Sequence, residues 1–418
     1  MYKAPRGTAD ILPAEQAYFR YVEERAAEIC QRYGYKRIDT PVFEDSRLFI
    51  RTIGPGTDIV EKETYSFYDR SGHIMTLRPE GTAPICRAYL EHGMHNLPKP
   101  VRLYYFAAIF RYERPQKGRY RQHQQFGYEA LGEGDPALDA EVIEMARCFF
   151  KSLGLRRLSM QVNSIGCKKC RPGYLKKLKG YYSQYIDQLC PECKRRYRQN
   201  PIRLLDCKKP PCQGAANGAP KSTASLCPEC REHFKDVLGY LRLMKIPFKQ
   251  NHRLVRGLDY YTRTVFEVQP QGDGGAQSAL GGGGRYDDLI EELGGKPTPA
   301  IGFAAGIERT VLNLKEHDIT PPAPEAQGIY IAYVGDKAKE EAVKLAAQLR
   351  SAGLPVYRSF GQKSLKAQMR QANASGADQV FIFGEDEVKN GKVVYRDMVE
   401  GEQWEVSVDE VLALLTQV

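Results

Sequence analysis

Five cations crowd one short stretch of the chain: Arg111, Arg114, Lys117, Arg119 and Arg121 fall within eleven residues. Pro115 and Gly118 interrupt them, so the segment cannot run on as a helix and is expected to turn as a hairpin loop. Guanidinium groups at this density suit phosphate, which they grip bidentately, and a mobile outer loop suits a larger polyanion. The competing reading is a surface hairpin whose charges face water, as charge runs commonly do. Arg111 argues against it. It directly follows the apolar run 103–110 and shortly precedes Glu113, so it is expected at the floor of a cleft, where a buried guanidinium needs an anionic partner.

Other polar residues stand at the ends of apolar runs. Glu80, Gly81 and Thr82 follow a strand end and a proline turn; the acid and the hydroxyl either project into a pocket or cap the helix that follows. Arg256, Asp259, Tyr260 and Tyr261 lead into the apolar strand 265–268, an unusually polar approach that suggests pocket lining. The glycine run 281–284 either lets another backbone approach closely or forms a plain flexible loop. Arg309 lies in the first turns of a helix, where the dipole disfavours a cation, so it is expected to answer a ligand anion or Glu308.

Eight of the eleven cysteines lie between Cys167 and Cys230. Cys167 and Cys170, Cys190 and Cys193, and Cys227 and Cys230 have C-x-x-C spacing, with Cys207 and Cys212 a looser pair. Two such knuckles are the usual supply for one tetrahedral zinc, and the absence of an accompanying histidine or carboxylate makes any such site structural. Small buried thiols are the alternative. The surrounding lysines and arginines, among them Lys168, Lys169, Lys194, Arg195 and Arg196, make a nucleic-acid contact plausible.

These residues need elements to hold them. The chain has 418 residues, 42% hydrophobic and 27% charged, which implies two or three soluble domains. The net charge of +10 gives a long-range field that favours polyanions. No run approaches the ~20 apolar residues of a membrane helix, and the N-terminus has charges and prolines where a secretory signal needs an apolar core, so the cytosol is expected. Residues 13–33 carry helical spacing, 35–43 read as a strand ending near Pro41, and 103–110 and 124–130 as the strands flanking the basic loop. A helix over 136–153 and a strand over 159–165 precede the cysteine-rich stretch, which small and turn-forming residues interrupt between Pro210 and Ser225. Beyond a proline-rich linker, alternating strands and helices from Ile329 onward predict a small α/β domain with a mainly parallel sheet.

Taken in order, the segments 77–82 (LRPEGT), 110–122 (FRYERPQKGRYRQ), 254–261 (LVRGLDYY), 283–287 (GGRYD) and 302–309 (GFAAGIER) closely resemble the histidyl-tRNA synthetases, class II aminoacyl-tRNA synthetases, in their bacterial form. The resemblance implies an α+β fold: an antiparallel six-stranded catalytic sheet with flanking helices over 1–166 and 251–317, split by an insert over 167–250 that touches the tRNA acceptor arm. A linker over 318–327 and an α/β anticodon-binding domain over 328–418 complete it. It also implies a homodimer built partly on residues 13–43, ATP as substrate, Mg²⁺, and L-histidine and tRNA(His) as partners.

Residue roles follow where the motifs match. Arg111 resembles the arginine that holds the ATP α-phosphate against the histidine carboxylate, and Arg256 the one that stabilises α-phosphate charge; these two are the catalytic residues the resemblance implies. Glu113, Arg119 and Arg309 resemble further ATP contacts. Glu80, Gly81, Thr82 and Gln125 would hold the substrate ammonium group, and Glu129 with Tyr260 and Tyr261 the imidazole. Arg114, Gln116, Lys117 and Arg121 would meet the tRNA end. His123 and Gln124 depart from the family pattern and receive no role. The cysteines resemble those of only a subset of members, leaving zinc at Cys167, Cys170, Cys190, Cys193, Cys227 and Cys230 open. The rival readings are a catalytically silent paralogue, similar to the regulatory subunit of ATP phosphoribosyltransferase, and a zinc-dependent nucleic-acid-binding module. The first should lack ATP-side arginines, and the second leaves Glu80, Glu129 and the tyrosines without purpose.

Overall fold

The computed structural model describes residues 2–54, 57, 59–114, 116, 118–271, 279–322 and 328–416. Two compact units divide the chain, 1–321 and 322–418. Among the described residues no helix is long and apolar enough to cross a membrane.

An eight-stranded sheet organises the first unit, in the order Lys36–Arg37, Val101–Phe110, Gln122–Leu131, Ala300–Gly306, Gly281–Arg285, Thr262–Pro270, Leu158–Ser164 and Phe248–Gln250. The six inner strands pair antiparallel, as the resemblance implies, and a short strand joins each edge in parallel. Helix Pro13–Arg32 turns Phe19, Val22, Ala26 and Ile29 inward at helical spacing. They join Pro136–Ser152 and Pro228–Leu243 in one core, in which Phe126, Tyr128, Phe149 and Phe303 pack with ring centroids 4.9 to 6.5 Å apart. A second core with Tyr105, Ile109, Val255, Tyr260 and Tyr261 lies toward the polar cavity described below.

Two expectations change, and one open alternative closes. The single strand over 35–43 is instead two: Lys36–Arg37 at the edge of the main sheet, and Phe43–Asp45 in a small sheet with Ile74–Leu77 and Tyr65–Tyr68. Pro41 has no N–H for a ladder, and the carbonyls of Thr40 and Pro41 accept instead from Arg78 Nη1, at 2.7 and 3.2 Å. Of the two readings of the glycine run, close backbone approach holds: it is an inner strand of the sheet. A Cβ at Gly282 would stand 2.7 Å from Phe266 O and one at Gly283 1.9 Å from Gly302 O, so the close approach of the neighbouring backbones requires glycine. The stretch 210–225 contains the helix Pro210–Asn217, which buries Cys212, Ala215 and Ala216.

From the end of Leu158–Ser164 to the start of Phe248–Gln250 the described chain forms only helical segments and their connections. Arg171–Tyr182, Pro191–Gln199, Pro210–Asn217 and Pro228–Leu243 each place proline in the first turn, where its missing N–H costs nothing.

The second unit is a five-stranded sheet in the order Val356–Arg358, Ile329–Tyr333, Gln379–Phe383, Lys392–Asp397 and Gln403–Ser407. Only the first three are parallel; the last two pairings are antiparallel, so "mainly parallel" describes half the sheet. Ile329, Ile331 and Tyr333 face a core with Asp336–Ser351, and Tyr330 and Ala332 face another with Leu365–Ala374, the period of two expected of a strand buried on both sides.

Candidate active site

The hairpin Val101–Phe110 to Gln122–Leu131 puts Arg111 where its strand ends and Gln125 and Glu129 on the returning strand. With Ala300–Gly306 and Gly281–Arg285 it floors a cavity of about 920 Å³. The cavity has two chemically distinct ends.

One end is acidic and aromatic. Glu129 is 1% exposed; its Oε1 accepts from Thr82 Oγ1 at 2.8 Å and its Oε2 from Tyr286 OH at 2.5 Å. Burial pushes its carboxyl up to about 8, against the two hydrogen bonds that pull it down. A Cβ at Gly302 would overlap Glu129 Oε2, so that carboxylate fits only over a glycine backbone. Glu80 accepts from the backbone N–H of Thr82 and of Ala83, at 2.7 and 2.8 Å, capping Thr82–Glu91, and also faces the Tyr260 hydroxyl at 3.4 Å. The cap and the pocket wall are thus one residue. Burial raises its carboxyl, opposed by those N–H groups and by Arg111. The rings of Tyr260 and Tyr261 lie 4.8 Å apart, and Tyr286 meets Tyr260 edge-on at 5.7 Å. Gln125 Oε1 accepts from Tyr105 OH at 3.2 Å.

The other end is cationic. Arg111 Nε donates to Pro79 O at 2.7 Å, leaving its Nη1 3.8 Å from Glu113 Oε1; Arg119 Nη1 lies 3.2 Å from Glu113 Oε2. Arg256 pairs with Glu267 at 2.6 Å under the Tyr261 ring. Arg309 donates to Ala279 O at 2.8 Å and Gly118 O at 3.3 Å, tying the loop tip to the glycine strand. Glu308 is not its partner, because that carboxylate accepts the Gln124 N–H, at 2.8 and 3.0 Å. His123 lines the same region. Burial, then Arg111 and Arg309, push its imidazole down to about 3, so it stays neutral.

Glu80, Thr82, Arg111, Glu113, Gln116, Arg119, Gln125, Glu129, Arg256, Tyr260, Tyr261 and Arg309 all line this one cavity. Gly81, Arg114 and Arg121 are not in its lining: Gly81 is pressed against the Tyr105 ring, Arg114 is exposed, and Arg121 stacks 3.8 Å over the Tyr112 ring. Lys117 lies outside the described residues. Tyr286 and Glu267 were missed, although the GGRYD segment contains the first. Also missed were Arg203, Lys208 and Lys209, which bring the cysteine-rich helical segment to the cavity as a wall.

The cysteines group differently from the expected set of six. Cys167, Cys170, Cys227 and Cys230 form one cluster; Cys207 and Cys212, set apart as a looser pair, complete a second with Cys190 and Cys193. A knuckle separated by sixty residues or by fourteen is equally compatible with spacing, and only the fold decides which meet.

A family model described as histidyl-tRNA synthetase matches residues 7–168 and 218–310, and one described as anticodon binding domain matches 328–417. A histidine–tRNA ligase of Dehalococcoides mccartyi is 57% identical over 99% of this chain and 98% of its own, and that of Desulforamulus reducens 48% identical over 98% of each. The crystal structure of apo histidyl-tRNA synthetase from S. aureus superposes with a TM-score of 0.83 at 36% identity, covering 99% of both chains. With its matched segments spanning most of the sequence and its relatives alike from end to end, the chain belongs to the histidyl-tRNA synthetase family.

Proposed function

We propose that this chain ligates L-histidine to tRNA(His) in two steps on the cavity described above. The observation that carries the reading is the pairing of a buried, hydrogen-bonded carboxyl, Glu129 with Thr82 and Tyr286, with the guanidinium groups of Arg111, Arg256 and Arg309 at the opposite end of one cavity. The acidic end suits an imidazole and an ammonium group: Glu129 with Tyr260 and Tyr261 takes the ring, and Glu80, Thr82 and Gln125 the amine, with Gly81 shaping the turn. The cationic end suits a triphosphate.

In the first step a histidine carboxylate oxygen attacks the ATP α-phosphorus, the bond to the β-phosphate bridge breaks, and pyrophosphate leaves. No proton has to move, so the chain's task is placement and charge stabilisation. Arg111 spans the carboxylate and the α-phosphate, Arg256 takes the charge that grows on the α-phosphate, and Glu113, Arg119 and Arg309 place the adenylate and outer phosphates. The carboxylates on that side, Glu113 and Glu267, are the hard oxygen donors that would hold Mg²⁺, and the ion would supply charge neutralisation for the phosphates. In the second step a ribose hydroxyl of the terminal adenosine attacks the histidyl carbonyl and AMP leaves; Arg114, Gln116, Lys117 and Arg121 meet the tRNA end. The insert 167–250 contacts the acceptor arm, the domain 328–418 reads the anticodon, and 1–166 with 251–317 carries the chemistry. The cysteine clusters hold structural zinc, since neither contains a histidine or carboxylate that would leave a reactive position.

The active form is a homodimer in the cytoplasm. Val42, Phe43, Phe67, Tyr68 and Ile74, all more than 40% exposed, gather on and beside the small sheet next to Pro41, an apolar face that a second copy would cover. The regulatory-paralogue reading is the less supported one, because the ATP-side arginines all line the cavity and the full-length relatives are ligases. Histidine-dependent exchange of labelled pyrophosphate into ATP tests the first step, and sedimentation tests the dimer.

A further inference from the structure

All eleven cysteines are free, and the two clusters of four each keep their sulfur atoms within 4.8 Å of one another. Sγ separations are 3.5 Å for Cys167 and Cys170, 4.0 Å for Cys167 and Cys227, and 4.0 Å for Cys190 and Cys207. Four sulfurs bound at ~2.3 Å to a tetrahedral zinc stand about 3.8 Å apart; a disulfide needs ~2.05 Å. Each cluster also aims a backbone N–H at a sulfur, Cys167 N at Cys170 Sγ (3.2 Å) and Cys190 N at Cys212 Sγ (3.3 Å), which stabilises thiolate in preference to thiol.

We propose that the chain holds two Zn²⁺ ions, each by four cysteines, and that the second, at Cys190, Cys193, Cys207 and Cys212, positions the active-site segment 256–261. The two sites belong to different cores. Cys170 and Cys230 sit in the core beneath the sheet with Phe234 and Val237, where the first cluster joins the opening turn of Arg171–Tyr182 to that of Pro228–Leu243 and closes the insert at its base. The second cluster sits in the other core, with Leu204, Leu205, Val255, Tyr260 and Tyr261. Between its Cys193 and Cys207 the chain carries Asn200 and Arg203. Asn200 Nδ2 donates to Asp259 Oδ1 at 2.6 Å, and Arg203 Nη1 to Gly257 O at 2.8 Å. Those two partners flank Leu258 within the segment that presents Arg256, Tyr260 and Tyr261 to the cavity. A tetrahedral ion fixes both ends of the 193–207 stretch, which forms short helical segments with no strand, and so holds Asn200 and Arg203 in register. All four ligands of the second site fall in 169–217, the stretch that the family model leaves unmatched, so this site is an addition to what the family model describes. The positioning role rests on the function proposed above, whereas the metal sites themselves do not.

The test uses the full-length protein purified without chelator. Elemental analysis is expected to give two zinc per chain, and zinc-edge X-ray absorption four sulfur neighbours at ~2.3 Å with no nitrogen or oxygen. Cys212→Ser is expected to retain one zinc and to raise the histidine KM for pyrophosphate exchange by about tenfold or more, while Cys212→His, which keeps a ligand, restores both the second ion and the KM. Cys227→Ser is expected to lose the other ion and leave the histidine KM within about twofold. A folded wild-type protein without zinc, or nitrogen and oxygen neighbours at the metal, overturns the sites. A one-zinc Cys212→Ser protein with an unchanged histidine KM overturns the positioning role. Wild-type protein that holds two zinc yet shows no histidine-dependent exchange overturns the positioning role together with the ligase reading, and leaves the sites standing.

Discussion

The floor of the cavity and its helical wall are held rigid in different ways. The floor belongs to a sheet of six antiparallel strands joined by backbone ladders and backed by Phe126, Tyr128, Phe266 and Phe303. On such a base a carboxyl can be buried where Thr82, Tyr286 and the Gly302 backbone leave it no other place, and the burial holds it at about 8 against those two hydrogen bonds. The wall has no strand among its described residues; short proline-opened helices carry Arg203, Lys208 and Lys209 to the cavity, and cysteine clusters stand where a larger apolar core would otherwise be needed. Changes in the floor should therefore alter chemistry with little effect on folding, and changes in the wall should alter placement.

The largest effect expected is from Arg256→Ala, which removes cationic stabilisation of the α-phosphate and the ion pair with Glu267; kcat for exchange should fall by about 10²- to 10³-fold, read in steady-state kinetics. Glu129→Gln comes next, raising the histidine KM by roughly 100-fold while the ATP KM stays close to its original value. That variant also sharpens the comparison through pH. The Glu129 carboxyl lies above its ordinary 4.5, so the folded state keeps a proton that the unfolded chain sheds. Stability is unaffected below about 4.5, declines as pH rises from there, and levels off above about 8. Glu308, pushed up to about 7 by burial, contributes with the same sign. Thermal melts without histidine should show a shallower decline over that window in Glu129→Gln than in the parent. Tyr286→Phe removes one of the two hydrogen bonds that restrain the Glu129 carboxyl, so its titration should move further up and the histidine KM rise by about tenfold. The smallest effect belongs to the wall: Lys208→Ala with Lys209→Ala should leave exchange intact and weaken tRNA charging a few-fold, with a shallower dependence on salt.

Much of the floor was legible because its signals are local. Apolar period placed Pro13–Arg32, and an apolar run ending in Arg111 placed the hairpin and its guanidinium at a cleft. What was not legible depends on contacts distant in sequence. The glycine run reads equally well as a loop because its reason for being glycine, the carbonyls of Phe266, Gly302 and Thr264 pressed against it, comes from neighbouring strands. Cysteine spacing could not choose Cys207 and Cys212 as partners of Cys190 and Cys193, since C-x-x-C states which residues bind and not which pairs meet. In the second unit the alternation of strand and helix suggested parallel pairing, but the turn at Gly401, with φ of +78°, folds the last two strands back on each other. Tyr286 carries no signal of its own beyond the GGRYD segment; only the fold brings its hydroxyl to Glu129.

The most direct test of the account is pyrophosphate exchange with each of the twenty amino acids offered singly to the purified full-length protein. Exchange driven by histidine and by no other amino acid to a comparable extent is the predicted result; no exchange with histidine, or equal exchange with another amino acid, would contradict it.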